Sequence, residues 1–459
     1  MIRHLKANYL YFLLLPLVFN FLSNLFNGKI SMENFQIYDV ISSILIFLFL
    51  YSVGFCFKLV FKKMTITFGI ITYLFSFFIL ETLILFFYSE INLHTTFIIM
   101  NLIWLLFYLK TKSVNKIIVL PVLLYFLMTY LNNSFIDFMT VNTNIEGDVK
   151  DVFFPNTLNI YEISYSWSIL NPTMTGYPQF MSYIDAVIYK IAFGLENYSY
   201  IKSTSLVFFW LNLLLFKEAA NSKKLKFFIG AVFSLLIINS GWLQFLFVAS
   251  LMSERMAGYF LAGILFTLFK IKDLPSHEAS IIFFILSFIY ITKQFFSIMI
   301  PVLFIIFLFT KSYRRESLFL LSSPLLNEFS YRTYFAQVPR DHHIRQIDIL
   351  DTIQDIFLLR DLKLGNINTI LKNLLIDTPI IYFLVLVISI YFVNLNKGKS
   401  SFETNLYFFL SVLNLQLILL LYISAWRNME LDSPTRYIYS FFAIYFLIFS
   451  KSYETMRRH

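Results

Sequence analysis

Residues 38–60 read Tyr-Asp-Val-Ile-Ser-Ser-Ile-Leu-Ile-Phe-Leu-Phe-Leu-Tyr-Ser-Val-Gly-Phe-Cys-Phe-Lys-Leu-Val, and Phe61-Lys62-Lys63 closes them. At about 1.5 Å per residue, a helix over this run extends roughly 35 Å, enough for the hydrocarbon core of a bilayer. Lys58, Lys62 and Lys63 gather where it ends. Basic residues at a span end are retained on the cytoplasmic side, so the segment reads as a crossing that arrives at that surface.

Working outward, Arg3 and Lys6 precede another apolar run, Asn8–Leu25, which lacks a small-residue cleavage signal and reads as an uncleaved first span. Further runs lie at roughly 67–89, 94–109, 117–133, 198–216, 227–240, 255–269, 279–292, 295–310, 316–329, 379–393, 404–423 and 437–449. Laid alternately out and in, they put Lys58/Lys62/Lys63, Lys110/Lys112/Lys116, Lys217/Lys223/Lys224/Lys226, Lys270/Lys272, Lys311/Arg314/Arg315, Lys397/Lys399 and Lys451/Arg457/Arg458 on the side of the N-terminus. The opposite side receives Glu90, Asp137, Glu146, Asp148, Asp151 and Glu162, and a mixed-charge stretch between Ser330 and Asp377. The expected fold is therefore all-α, a polytopic transmembrane bundle of about fourteen spans, several of them short, with both termini cytoplasmic. Spans that stop early suit helices bordering a water-filled cavity.

Composition agrees. Of 459 residues, 58% are hydrophobic and 14% charged, against about 25% charged in soluble proteins, which excludes an ordinary soluble globular chain. Cys56 is the single cysteine and can form no internal disulfide. Residues 1–459 read as a single transmembrane domain, with large external loops over 134–197 and 330–378 that carry juxtamembrane helices. In the second, Ile347, Leu350, Ile353, Phe357 and Leu358 recur at helical spacing, the pattern of an interfacial helix.

The first external loop places Glu146, Asp148 and Asp151 within six positions. Carboxylates beside low-dielectric material suit work on a proton or a cation, including general-base action on a hydroxyl, and a solvated acidic loop is the ordinary alternative. Asn171-Pro-Thr-Met-Thr-Gly-Tyr-Pro-Gln-Phe follows, in which Pro172, Gly176 and Pro178 predict an ordered bend near Tyr177. Tyr183, Val187, Ile191 and Ala192 then predict a helix lying along the membrane over Met181–Phe193. Ser253-Glu254-Arg255 stands at an outer helix end, where Arg255 can hold a phosphate oxygen or simply mark the water boundary. Lys293 interrupts an apolar stretch from Ile281 to Phe309 and is either an intramembrane functional cation or a turn residue reaching outward. Arg436 opens the final run after Glu430 and Asp432, and can reach the same outer region or a surface carboxylate.

Adjacent His342 and His343 diverge on a helix and cannot share one metal, so no metal ligand is assigned. The chain has no Gly-x-x-x-x-Gly-Lys-Ser/Thr loop and no dinucleotide-binding glycine pattern, which argues against nucleotide-driven pumping. Its basic residues form no aromatic-interleaved stripe, so no nucleic-acid partner is expected.

In their order, these motifs resemble the GT-C superfamily of integral membrane glycosyltransferases, including its bacterial polyprenyl-phosphate-sugar enzymes. Asp148 with Pro155 is similar to the family's catalytic Asp loop, and Tyr177-Pro178 through Gly194 to its Pro-containing bend and juxtamembrane helix. Ser253-Glu254-Arg255 resembles the next acidic helix start, Thr292-Lys293 before Pro301 a Thr-Lys motif between short spans, and Arg436-Tyr437 a late Arg-Tyr pair. Five runs precede the Asp loop where the family usually has one, and the loop lacks an adjacent Asp-Glu pair.

The resemblance implies an enzyme that moves a sugar from a polyprenyl-phosphate donor to an acceptor hydroxyl on a glycan, lipid or protein at the external face of the bacterial inner (plasma) membrane. Asp148 or Asp151 would be the base. Lys293, Arg255 and Arg436 would hold the donor phosphate, while Glu254 and Tyr177 would position the acceptor or the loop. A divalent cation stays open as a cofactor. An O-antigen-type polymerase or ligase, drawing on Arg332, Arg340, His342, His343 and Arg345, is an alternative. A lipid-linked glycan transporter or flippase is another.

Overall fold

The structure, a computed structural model, describes residues 37–85, 90–109, 157, 160, 165–166, 180–192, 199–220, 253–270, 275–292, 299–308, 313–322, 324–325 and 443. In chain order these form α1 (Ile37–Val60), α2 (Ile66–Leu85), β1 (Glu90–Ile91), α3 (Leu93–Leu109), β2 (Tyr165–Ser166), α4 (Phe180–Ala192), α5 (Ser199–Ala219), α6 (Ser253–Lys270) and α7 (Ser276–Ser287). A 3-10 turn (Phe288–Thr292), α8 (Met299–Leu308) and a second 3-10 turn (Glu316–Leu321) follow. The described residues are thus helical, apart from a two-residue antiparallel pairing of Glu90 with Ser166 and Ile91 with Tyr165.

Two segments, Ser43–Val60 and Ile66–Ile84, are helices long and apolar enough to cross a membrane. Leu93–Tyr108, Met256–Leu268 and Ser276–Ser287 are shorter apolar helices. The runs expected at 38–60, 67–89, 94–109, 198–216 and 255–269 each correspond to one helix, and 295–310 to the shorter α8. The run at 279–292 tightens into a 3-10 turn after Ser287, and the run at 316–329 opens as a 3-10 turn instead of an α-helix. Beyond that turn Ser322, Pro324 and Leu325 are α-helical. The runs at 8–25, 117–133, 227–240, 379–393 and 404–423, nearly all of 437–449, and the loop over 330–378 lie outside the described residues.

α1 and α2 pack against each other through Gly54 and Gly69. A Cβ on Gly54 would sit 2.5 Å from the Ile66 carbonyl oxygen, and one on Gly69 2.9 Å from the Gly54 carbonyl oxygen. Small residues let helix backbones approach this closely where lipid offers no hydrophobic drive for association. Polar side chains then tie neighbouring helices. Tyr73 donates to Asn101 Oδ1 (2.9 Å), the Trp104 indole to Ser76 Oγ (3.0 Å), Tyr108 to the Val53 carbonyl (2.9 Å) and the Trp210 indole to Ser43 Oγ (3.0 Å). On α3, Ile98, Ile99, Leu102, Ile103 and Leu106 recur at helical spacing and are exposed. An outward apolar stripe of this kind suits contact with acyl chains.

At one end of this bundle, Glu218 near the close of α5 accepts hydrogen bonds from the Ile66 and Thr67 backbone N–H groups, each 2.9 Å. Those are orphan donors of the first turn of α2, where the helix dipole also favours a negative charge. Lys58 approaches the same carboxylate at 4.0 Å, and the Thr65 and Thr267 hydroxyls share a hydrogen bond of 3.1 Å. The helix ends next to Lys58, Lys62, Lys217 and Lys270 therefore meet there. Glu218→Gln is expected to lower stability by about 1–2 kcal/mol, as loss of a helix cap does, read as a lower thermal midpoint in detergent. An unchanged midpoint would mean that the cap adds nothing to the fold.

Candidate functional site

The opposite end of the bundle is built by the close of α2, the start of α3, and α4. Phe180, the first residue of α4, packs on Phe75 (ring centroids 4.7 Å apart) and Phe78 (5.0 Å) of α2 and on Phe260 of α6 (5.9 Å). Tyr183, one turn on, packs on Phe78 at 5.8 Å. These rings seat α4 in the bundle. The sequence predicts one covered stripe, of Tyr183, Val187 and Ile191, yet Ser182, Asp185 and Ala186 are equally buried. α1, α2, α3, α5 and the 3-10 turn all pack on this helix, which they enclose. Near its end, partial burial holds the Lys190 ammonium below its usual pKa.

Of the residues singled out in the sequence, Glu254 and Arg255 fall in the first turn of α6, and only their backbone placement is described. Asp148, Asp151, Tyr177, Lys293 and Arg436 lie outside the described residues. The elements next to several of them do meet. α4 begins three residues after Tyr177, and the 3-10 turn ends at Thr292, immediately before Lys293. That turn packs against both α6 and α4, while Phe260, five residues after Arg255, touches Phe180. The β1–β2 pairing brings residues 165–166 to the same end, just beyond the close of α2.

One residue the sequence reading passed over stands out. Glu81 is wholly buried in the last third of α2, and neither carboxylate oxygen completes a hydrogen bond. The hydroxyls of Tyr183 on α4 and Thr96 on α3 face it, and Thr96 Oγ donates instead to the Asn92 carbonyl at 3.3 Å. The signal was present, since Glu81 is the only charged residue between Lys63 and Glu90. A carboxyl inside an apolar span is a functional candidate by default. Among the described residues no group of three or more His, Cys, Asp or Glu is arranged to hold a metal ion.

This end of the bundle can therefore supply buried hydroxyls, a buried carboxyl and the start of α6, whose first turn carries an acid and a base. Such a set can bind hydroxylated or anionic groups and move protons. Comparison of the chain with protein families, with curated proteins and with solved structures yields no match.

Proposed function

We propose that the chain is an integral membrane glycosyltransferase of the GT-C type that uses a polyprenyl-phosphate-linked sugar. The observation that supports this reading most is the meeting, at one end of the bundle, of the elements that carry or adjoin Tyr177, Glu254, Arg255 and Lys293. In the proposed reaction Asp148, or Asp151 in its place, removes the proton from an acceptor hydroxyl. The hydroxyl oxygen bonds to the anomeric carbon as the bond from that carbon to the phosphate oxygen breaks, and the electron pair leaves with the lipid phosphate. Lys293, Arg255 and Arg436 hold the departing phosphate by charge-assisted hydrogen bonds. Glu254 and Tyr177 position the acceptor or the loop. The acceptor is a glycan, lipid or protein at the external face of a bacterial inner membrane, and both chain termini are cytoplasmic.

The reading is tested with the full chain in phosphatidylethanolamine/phosphatidylglycerol vesicles, supplied with radiolabelled polyprenyl-phosphate hexoses and pentoses and a soluble alcohol acceptor. Label should move from the lipid to the water-soluble fraction as a glycoside. Lys293→Met is expected to raise the donor KM by about tenfold to a hundredfold, since it deletes one charged contact to phosphate. Label that crosses the bilayer while still on the lipid would instead identify a flippase.

A further inference from the structure

We propose that Glu81 is a proton-binding site in the half of the bundle that holds α4, coupled to the seating of α4 through Tyr183. This goes beyond sugar transfer and does not depend on it. Glu81 has no solvent exposure and sits within the segment Ile66–Ile84, one of the two helices able to cross a membrane. A carboxylate in such surroundings needs a cation, a set of donors or a proton to offset the loss of water.

The first two are wanting among the described residues. On α2's neighbours, Lys58 lies beside Glu218 at the far end, and Tyr51 and Cys56 are buried on α1. His94 is exposed at the start of α3, and Lys217 is on α5 one residue from Glu218. α6 offers Tyr259, whose hydroxyl faces Thr67 at the Glu218 end, and Glu254 and Arg255 in its first turn, of which only the backbone is described. α4 carries Tyr183, Asp185 and Lys190, and β1 carries Glu90. Of the described side chains only Tyr183, joined by the uncharged Thr96, acts on Glu81. Among the described groups the counter-charge left to the closed arrangement is a proton, with the Tyr183 and Thr96 hydroxyls as the adjoining hydrogen-bonding groups. Because Tyr183 is anchored on α4, lifting that helix would expose the carboxyl and release the proton to water.

The test uses the full chain in vesicles with dicyclohexylcarbodiimide, an apolar reagent that adds to protonated carboxyls, and reads the adduct by mass spectrometry of the peptide containing Glu81. The expected result is an adduct at Glu81 that declines as the pH is raised, is unaffected by sodium and is missing from Glu81→Gln. In Tyr183→Phe the adduct should persist to higher pH, because the hydroxyl that faces the carboxyl and could donate to its ionised form has been removed. That readout needs no transfer activity and survives if Glu81→Gln does not fold. The proposal is overturned by no adduct at any pH, by an adduct that ignores pH, by protection with sodium, which would mark a metal-cation site, or by a Tyr183→Phe profile identical to wild type.

Discussion

Asp148→Asn combined with Asp151→Asn is expected to lower glycoside formation by at least about 100-fold, and up to about 10,000-fold, with donor KM little changed. An amide of the same shape keeps the contacts of each aspartate but cannot take a proton. The acceptor hydroxyl must then attack without losing its proton to the protein, which removes stabilisation realised only in the transition state. The single substitutions decide between the two candidates. The residue whose Asn variant alone reproduces the double loss is the base, and the other should lower turnover less. Glycoside formed at wild-type rates by the double variant, in the vesicle assay above, would remove the aspartate loop from the chemistry and the glycosyltransferase reading with it.

The largest expected structural effect is at the α1–α2 crossing. Gly54→Leu should leave little folded protein, because the first added carbon already meets the Ile66 carbonyl oxygen at 2.5 Å and Ile70 Cγ1 at 2.8 Å. Backbone cannot rotate away as a side chain can, so the helices must part. Parting them strains the Tyr108–Val53 hydrogen bond and the Phe49–Tyr73 contact beside it. A cost above about 3 kcal/mol is expected, since overpacking alone costs about 1–3 kcal/mol. Gly263→Ala is the control, because the atoms its Cβ would meet, Ile71 Cδ1 and Thr67 Cγ2, belong to side chains. Size-exclusion profiles and thermal midpoints in detergent check both. A monodisperse Gly54→Leu protein with a wild-type midpoint would show that the crossing is looser than described.

Much of the helical layout was legible because hydrophobic run length and helix length are set by the same rise per residue. Tyr38–Val60 and its closing lysines located α1 within one residue, and the neighbouring runs located α2 and α3 nearly as well. Glu81 escaped for the same reason. A single carboxylate barely lowers the hydrophobicity of a long run, so a reading by runs absorbs it. The spacing of Tyr183, Val187 and Ile191 did not mark Ser182 and Asp185 as buried too, since periodicity records contrast between faces and not what covers them. Contacts between distant segments were invisible for a different reason. Nothing local in Glu90 names Ser166, and nothing near Ile66 names Glu218 as its cap. Of the candidate site, the sequence supplied the order of chemistry-bearing residues, and the structure supplies the packing of α4, α6 and the 3-10 turn beside them.

The Glu218 cap also imposes an order on synthesis. The amides of Ile66 and Thr67 emerge from the ribosome about 150 residues before the carboxylate that receives them, a separation of 152 and 151 positions. Until α5 has been translated, the first turn of α2 must find other acceptors, such as water, for these amides. The α1–α2 hairpin is thus a provisional structure during translation, completed only when a residue about 150 positions later arrives.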